Sequence, residues 1–254
     1  MFSFFRVFVI RIEWTLIVFM PPQHESRIAE NFARVREQIA AAAQASGRSP
    51  DAVRLVAVTK YADLEDVRVL VSAGCHDLGE SRPQDLWTRA EELRDLNVQW
   101  HFIGHLQRNK VERTLPLVSL LHSADSERLI VALDEAAAKA NRVLPILLEV
   151  NISGDIAKHG FAPDEIELLL PTLAQFCCVK IRGLMGMAAL EGGADRARME
   201  FARLRELRDR LRANCPAEIV LDELSMGMSG DFTEAIAEGA TLVRIGSALF
   251  EGAD

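Results

Sequence analysis

One lysine closes an apolar run, Arg54-Leu-Val-Ala-Val-Thr-Lys60. A β-branched stretch of this kind reads as a buried strand, so its last residue sets a single amine at the mouth of whatever the strand builds. An amine that loses solvation there drops its pKa toward neutrality and adds to an aldehyde, which makes Lys60 a candidate Schiff-base former. The plainer account is a lysine snorkelling past a core strand into solvent. Near the other end of the chain, Ser225-Met-Gly-Met-Ser229 and Arg244-Ile-Gly-Ser247 supply small residues that let a backbone approach a ligand closely. Ser225, Gly227 and Ser229 precede a helix expected near Phe232, where free N–H groups favour an anion, and Gly246-Ser247 repeats the offer. Read alone, Ser229-Gly-Asp231 is also a simple helix cap.

The elements that must position these residues alternate. Ile28, Phe32, Val35 and Ile39 recur at helical spacing before Gly47-Arg-Ser-Pro50, giving a long first helix expected to close the bottom of the fold. Strands are expected over 54–60, 76–79, 98–104, 117–122, 145–151, 179–187, 218–224 and 241–245, with helices between them. No Pro/Gly/Ser linker divides the series. A single (β/α)8 TIM barrel with an extra N-terminal helix fits better than two doubly wound domains, and an open parallel sheet is the structural runner-up. In a barrel, function sits at the carboxyl ends of the strands, where Lys60, Gly79-Glu-Ser81, His101, Gly104-His105, Asn151, Ser225 to Ser229 and Arg244 to Ser247 all fall. The residues expected to contact a ligand are Lys60, His101, Asn151, Ser225, Arg244, Gly246 and Ser247. A reactive amine across from an anion seat suits pyridoxal 5′-phosphate (PLP), which carries an aldehyde and a phosphate on one rigid ring, and suits a phosphorylated sugar aldehyde as well.

A net charge of −8 with no basic blocks argues against a nucleic-acid surface. Cys75, Cys177, Cys178 and Cys215 show no C-x-x-C spacing and no H-E-x-x-H occurs, so neither a zinc site nor a disulfide framework is expected, and a reducing cytoplasm fits. The first twenty residues are apolar but interrupted by Arg6, Arg11 and Glu13. Each charge at a bilayer centre costs roughly 2.5–3.5 kcal/mol, so no membrane span is expected. Residues 1–20 read as a leader outside the fold, with Met20 a candidate start and 21–254 as one domain; an amphipathic anchor or a weak export signal is the alternative.

The blocks Val58-Thr-Lys60, Gly79-Glu80, His101-Phe-Ile-Gly104 with Leu106-Gln107 and Asn109-Lys110, Val150-Asn-Ile-Ser-Gly154 with Lys158 and Gly160, Arg182-Gly-Leu-Met185, Leu224-Ser-Met-Gly-Met-Ser229 with Asp231, and Val243-Arg-Ile-Gly246 stand in one order. With them the chain resembles the pyridoxal phosphate homeostasis proteins, single-domain relatives of the alanine racemase barrel. The resemblance implies the alanine racemase N-terminal barrel fold and PLP as cofactor. By it, Lys60 forms the internal aldimine, Ser225 and Gly246-Ser247 bind phosphate, and Arg244 faces the pyridine nitrogen. A guanidinium there leaves that nitrogen unprotonated and the ring a weaker electron sink. One departure is Ser81, where the family usually has asparagine after Gly-Glu.

The expected function is intracellular PLP supply or buffering by a monomer that passes cofactor to PLP-dependent apo-enzymes without turning over a substrate. An amino-acid racemase is the alternative, and it needs a base on each face of the aldimine. Racemases take the second base from a tyrosine of a separate domain, whereas the one tyrosine here, Tyr61, adjoins Lys60. A Schiff-base aldolase keeps Lys60 and the phosphate loops but leaves Arg244 unexplained.

Overall fold

A computed structural model describes residues 9–12, 15–18, 23–155, 159–189 and 191–253. The expected leader lies largely outside them. Within it, β1 (Val9–Ile12) and β2 (Thr15–Val18) pair antiparallel as a two-stranded sheet of their own, which the sequence reading did not anticipate. The remaining strands close a parallel barrel. In chain order these are β3 (Arg54–Val58), β4 (Asp77–Glu80), β5 (Gln99–Phe102), β6 (Val118–Ala124), β7 (Leu144–Val150), β8 (Val179–Gly186), β9 (Glu223–Ser225) and β10 (Leu242–Ile245), and β10 returns to pair with β3. No described helix is long and apolar enough to cross a membrane.

Helices wrap the sheet: α1 (Gln23–Ala45), α2 (Leu64–Ser72), α3 (Pro83–Glu92), α4 (Val111–Thr114), α5 (Glu127–Lys139), α6 (Pro163–Leu173), α7 (Gly193–Asn214), α8 (Phe232–Ala237) and α9 (Ser247–Phe250). Local chemistry sets their ends. Asp63 precedes α2, where the Asp63 amide donates to Asp66 Oδ2, and Pro83 and Pro163 open α3 and α6 at a position that loses no hydrogen bond. The helix α1 buries Ile28, Phe32, Val35 and Ile39, as its spacing requires. It does not close the bottom. It packs against α2, α8 and α9 in the outer ring, because α9 has only four residues and leaves apolar wall beside β10 and β3 to cover. The sequence also overextended the strand before α8: the Ile219 amide turns back to the Pro216 carbonyl, the Val220 amide makes one bond to Ile181 of β8, and the regular ladder begins at Glu223.

The barrel interior is small. Val56, Leu120, Leu147, Met185 and Leu242 form its apolar plug, separate from the larger layer between sheet and helices. Each sits at an inward position of its strand, and the same parity carries Arg244, His101, His122, Glu149 and Ser225 into the interior. Two strand ends also come unusually close, since a Cβ on Gly104 would lie 2.1 Å from the Ser81 carbonyl oxygen. Neither backbone can give way cheaply, so Gly104→Ala is expected to cost about 1–3 kcal/mol, read from the urea midpoint. This contact uses only the main chain of Ser81 and is indifferent to the missing asparagine.

Candidate functional site

Strands β3 and β10 lie side by side in parallel, with Arg244 beside Val56 and Ile245 beside Ala57. Both end on the same rim, where Lys60 follows β3 and Gly246-Ser247 follows β10. A methyl on Gly246 would come within 3.4 Å of the Val58 carbonyl oxygen, so the two strand ends are in contact. Lys60 is exposed, with its Nζ 4.9 Å from the centroid of the Tyr61 ring. The loss of solvation expected for it is therefore absent in this geometry, because Lys60 lies past the last residue of β3, Val58, on the open rim, while Thr59 before it is buried. Behind it the buried Glu80 carboxylate accepts from Thr59 Oγ1 at 2.6 Å and lies 3.1 Å from Arg89 Nε. Burial pushes the Glu80 carboxyl up, while Thr59's hydrogen bond and the charges of Arg89 and Lys60 oppose it.

Across the β3–β10 seam, Ser229 Oγ accepts from the amides of Gly246 (3.2 Å) and Ala248 (3.4 Å). Two main-chain N–H groups focused on one oxygen are the arrangement that also receives a phosphate oxygen. The loop before them is held tightly. Gly227 has φ +92°, and a side chain there would meet the Ala235 methyl at 2.6 Å. Its carbonyl accepts from the Arg244 amide at 3.0 Å, and Asp231 takes the Met228 amide at 2.6 Å. Burial pushes the Asp231 carboxyl up, against the Met228 amide and the Arg244 charge.

Ser225 takes a different place from the one expected. It is fully buried, and its hydroxyl accepts from Arg244 Nη1 at 2.6 Å and pairs with His122 Nδ1 at 2.7 Å. His122 Nε2 lies 2.9 Å from His101 Nδ1, and His101 Nε2 lies 2.8 Å from Asp77 Oδ1. The expectation that His101 stands at the mouth thus gives way to an interior position, with both ring nitrogens engaged by protein. Burial, then the neighbouring charges of His101, Arg244 and Arg54, push His122 well below the usual histidine range, so it is neutral. Burial raises the Asp77 carboxyl, but the hydrogen bond and charge of His101, with Arg54 and His76, outweigh it and hold the group below its ordinary range. Arg244 donates to Ser225, and the His122 and His101 rings carry the row on to Asp77, with the donor and acceptor at each ring nitrogen set by its tautomer. The row fixes the Arg244 guanidinium, whose Nη2 also donates to the Gly186 carbonyl at 3.1 Å. Burial lowers the Arg244 pKa to about 10, with Asp231 and Glu149 pulling the other way, so it remains a cation at neutral pH.

Glu149 was not singled out from the sequence, although a charge at inward parity in the apolar strand β7 was a visible signal. Burial and the Asp125 charge push its carboxyl up to about 7, against Arg244 and His105. The folded state therefore holds a proton that the unfolded chain releases near 4.5, and stability falls as pH rises from about 4.5 to 7. Glu149→Gln is expected to flatten that fall, gaining on the wild type by up to roughly 3 kcal/mol above pH 7. Melting temperatures across pH 5–8 check it. Asn151, also expected to contact a ligand, follows β7 and ties its own loop: its Nδ2 donates to the Asp155 carbonyl at 2.7 Å, and its Oδ1 accepts from the Gly154 amide at 3.1 Å. The structure thus gathers Lys60, Gly246, Ser247 and Arg244 at one end of the barrel and sets Ser225 and His101 beneath Arg244.

The family model described as alanine racemase, N-terminal domain, matches residues 25–254, which fixes the class of barrel. Within that class, the pyridoxal phosphate homeostasis protein of Pseudomonas aeruginosa is 42% identical over 231 residues, covering 90% of this chain and 97% of its own. The protein of the same name from Aquifex aeolicus is 38% identical over 221 residues, covering 87% and 96%. The structure of PipY from Synechococcus elongatus with PLP bound matches with a TM-score of 0.79 at 35% identity, over 88% of this chain and 99% of that one. The chain belongs to the pyridoxal phosphate homeostasis protein family.

Proposed function

We propose that this chain binds PLP through Lys60 and serves the supply of that cofactor within the cell, without turning over a substrate. The observation that carries the reading is the β3–β10 register, which sets an exposed primary amine and a pair of focused amides on one rim. The donor set fits the group. Lys60 would hold the aldehyde; Gly246, Ser247 and the Ser229 hydroxyl would take the phosphate; Arg244, oriented by Ser225 and supported in its charge by Asp231 and Glu149, would donate to the ring nitrogen. The cofactor, when bound, supplies an electrophilic carbon and an electron-withdrawing ring. Arg244 donates a hydrogen bond but gives up no proton near neutral pH, which disfavours carbanion chemistry.

The racemase alternative needs a second base facing Lys60 from across the ring. Tyr61 is 80% exposed and stands beside the lysine. We further propose a cytoplasmic monomer with PLP-dependent apo-enzymes as recipients, and the four free cysteines suit that compartment. Titration of cofactor-free protein with PLP and with pyridoxal, followed by visible absorbance, tests the reading. Two charge-assisted hydrogen bonds of at least roughly 1.5 kcal/mol each amount to a preference for PLP of about 100-fold or more. Equal uptake of both compounds refutes the phosphate seat, and α-proton exchange of alanine at enzyme-like rates refutes the non-catalytic reading.

A further inference from the structure

At the same end of the barrel, across the mouth from the β3–β10 seam, three side chains converge from three different loops. His105 follows β5, Asp125 follows β6, and His159 lies between β7 and α6. The Asp125 side chain is buried, with 6% of its surface exposed, while both histidines are open to solvent. His105 Nδ1 lies 2.6 Å from Asp125 Oδ2, and His159 Nδ1 lies 3.9 Å from that same oxygen. The two imidazoles stack at 4.2 Å between centroids and 13° between planes. One ligating atom from each residue falls within 4.8 Å of the other two.

The geometry points to a divalent transition-metal site of the zinc class, with His105, Asp125 and His159 as its ligands. Two imidazoles and one carboxylate suit zinc, cobalt or nickel, whereas magnesium and calcium take oxygen ligands. Bonds of 2.0–2.1 Å in a tetrahedron space the ligand atoms by about 3.3 Å. His105 and Asp125 are already nearer than that, and exposed His159 needs to close only a short distance. Ser126 Oγ donates to Asp125 Oδ1 at 3.0 Å, which orients the carboxylate from behind and leaves Oδ2 for the ion. A simple ion pair would need only His105. It gives no reason for a second imidazole, from a loop far along the chain, to bring its Nδ1 toward the same oxygen. Three protein ligands would leave a fourth tetrahedral position for water or another small ligand. Sequence spacing missed the site because its ligands come from three separate loops and form no short motif.

Binding of zinc to untagged, cofactor-free protein, measured in competition with a chromophoric chelator, tests the assignment without involving PLP. One equivalent is expected, with affinity falling at least tenfold in His159→Ala and in His105→Ala. His159 is exposed, so its removal leaves the fold intact. Cobalt-loaded protein is expected to show the visible bands of a tetrahedral nitrogen and oxygen site. No stoichiometric uptake, unchanged affinity in His159→Ala, or the thiolate-to-cobalt charge-transfer band of a cysteine site would each overturn the assignment.

Discussion

Lys60→Ala protein is expected to lose all covalent capture of PLP, so borohydride fixes no label on the chain, while its stability stays within about 0.5 kcal/mol of the wild type. The two halves of this result come from one fact: Lys60 is exposed, and no described hydrogen bond depends on it. The variant should still take up some PLP, because the Gly246 and Ala248 amides and Arg244 belong to the end of a different strand, β10, and remain in place. Visible spectra before and after reduction, with dialysis to measure retained cofactor, check both halves. Retention of a reducible band would assign the aldehyde to another lysine.

Arg244→Ala acts on the fold itself. The change strips a donor from Ser225 and from the Gly186 carbonyl, opens a cavity, and removes the cation that offsets Glu149 and Asp231. Leaving such groups buried without their counter-charge costs about 3–5 kcal/mol. In a chain of this size, that is a fall of roughly 6–15 °C in melting temperature. The loss should be larger at pH 8 than at pH 6, since Glu149, with its pKa near 7, is protonated at the lower pH and carries its uncompensated charge only at the higher. A pH-independent loss of under 1 kcal/mol would show that the guanidinium does not anchor the interior row.

What was legible in the sequence follows from what one dimension records. The run ending on Lys60, the helical spacing of α1 and the strand–helix alternation are local patterns, and each of them gave its element. The partner of a face is not local. The helix α1 announced that it buries Ile28 and Phe32, yet only its contacts with α2, α8 and α9 in the folded chain show that they pack in the outer ring. Ser225 was the expected phosphate ligand, and Ser229 stood only among the small residues before α8, where Ser229-Gly-Asp231 also read as a cap; strand parity separates them, since Ser225 ends β9 pointing inward and Ser229 lies beyond it under the β10–α9 amides. His101, His122 and Asp77 were invisible as a set, because their contact depends on the strand register of the closed barrel. Glu149 carried the one sequence signal left unread, a carboxylate at inward parity among leucines.

The central claim is that the amine after β3 and the amides after β10 clasp one cofactor between them. Peptide mapping of wild-type protein reduced in the presence of one equivalent of PLP tests it most directly. The account predicts a phosphopyridoxyl group on Lys60, which blocks tryptic cleavage there and yields a single labelled peptide running from Leu55 to Arg68. Label recovered instead on Lys110, Lys139, Lys158 or Lys180 would contradict it.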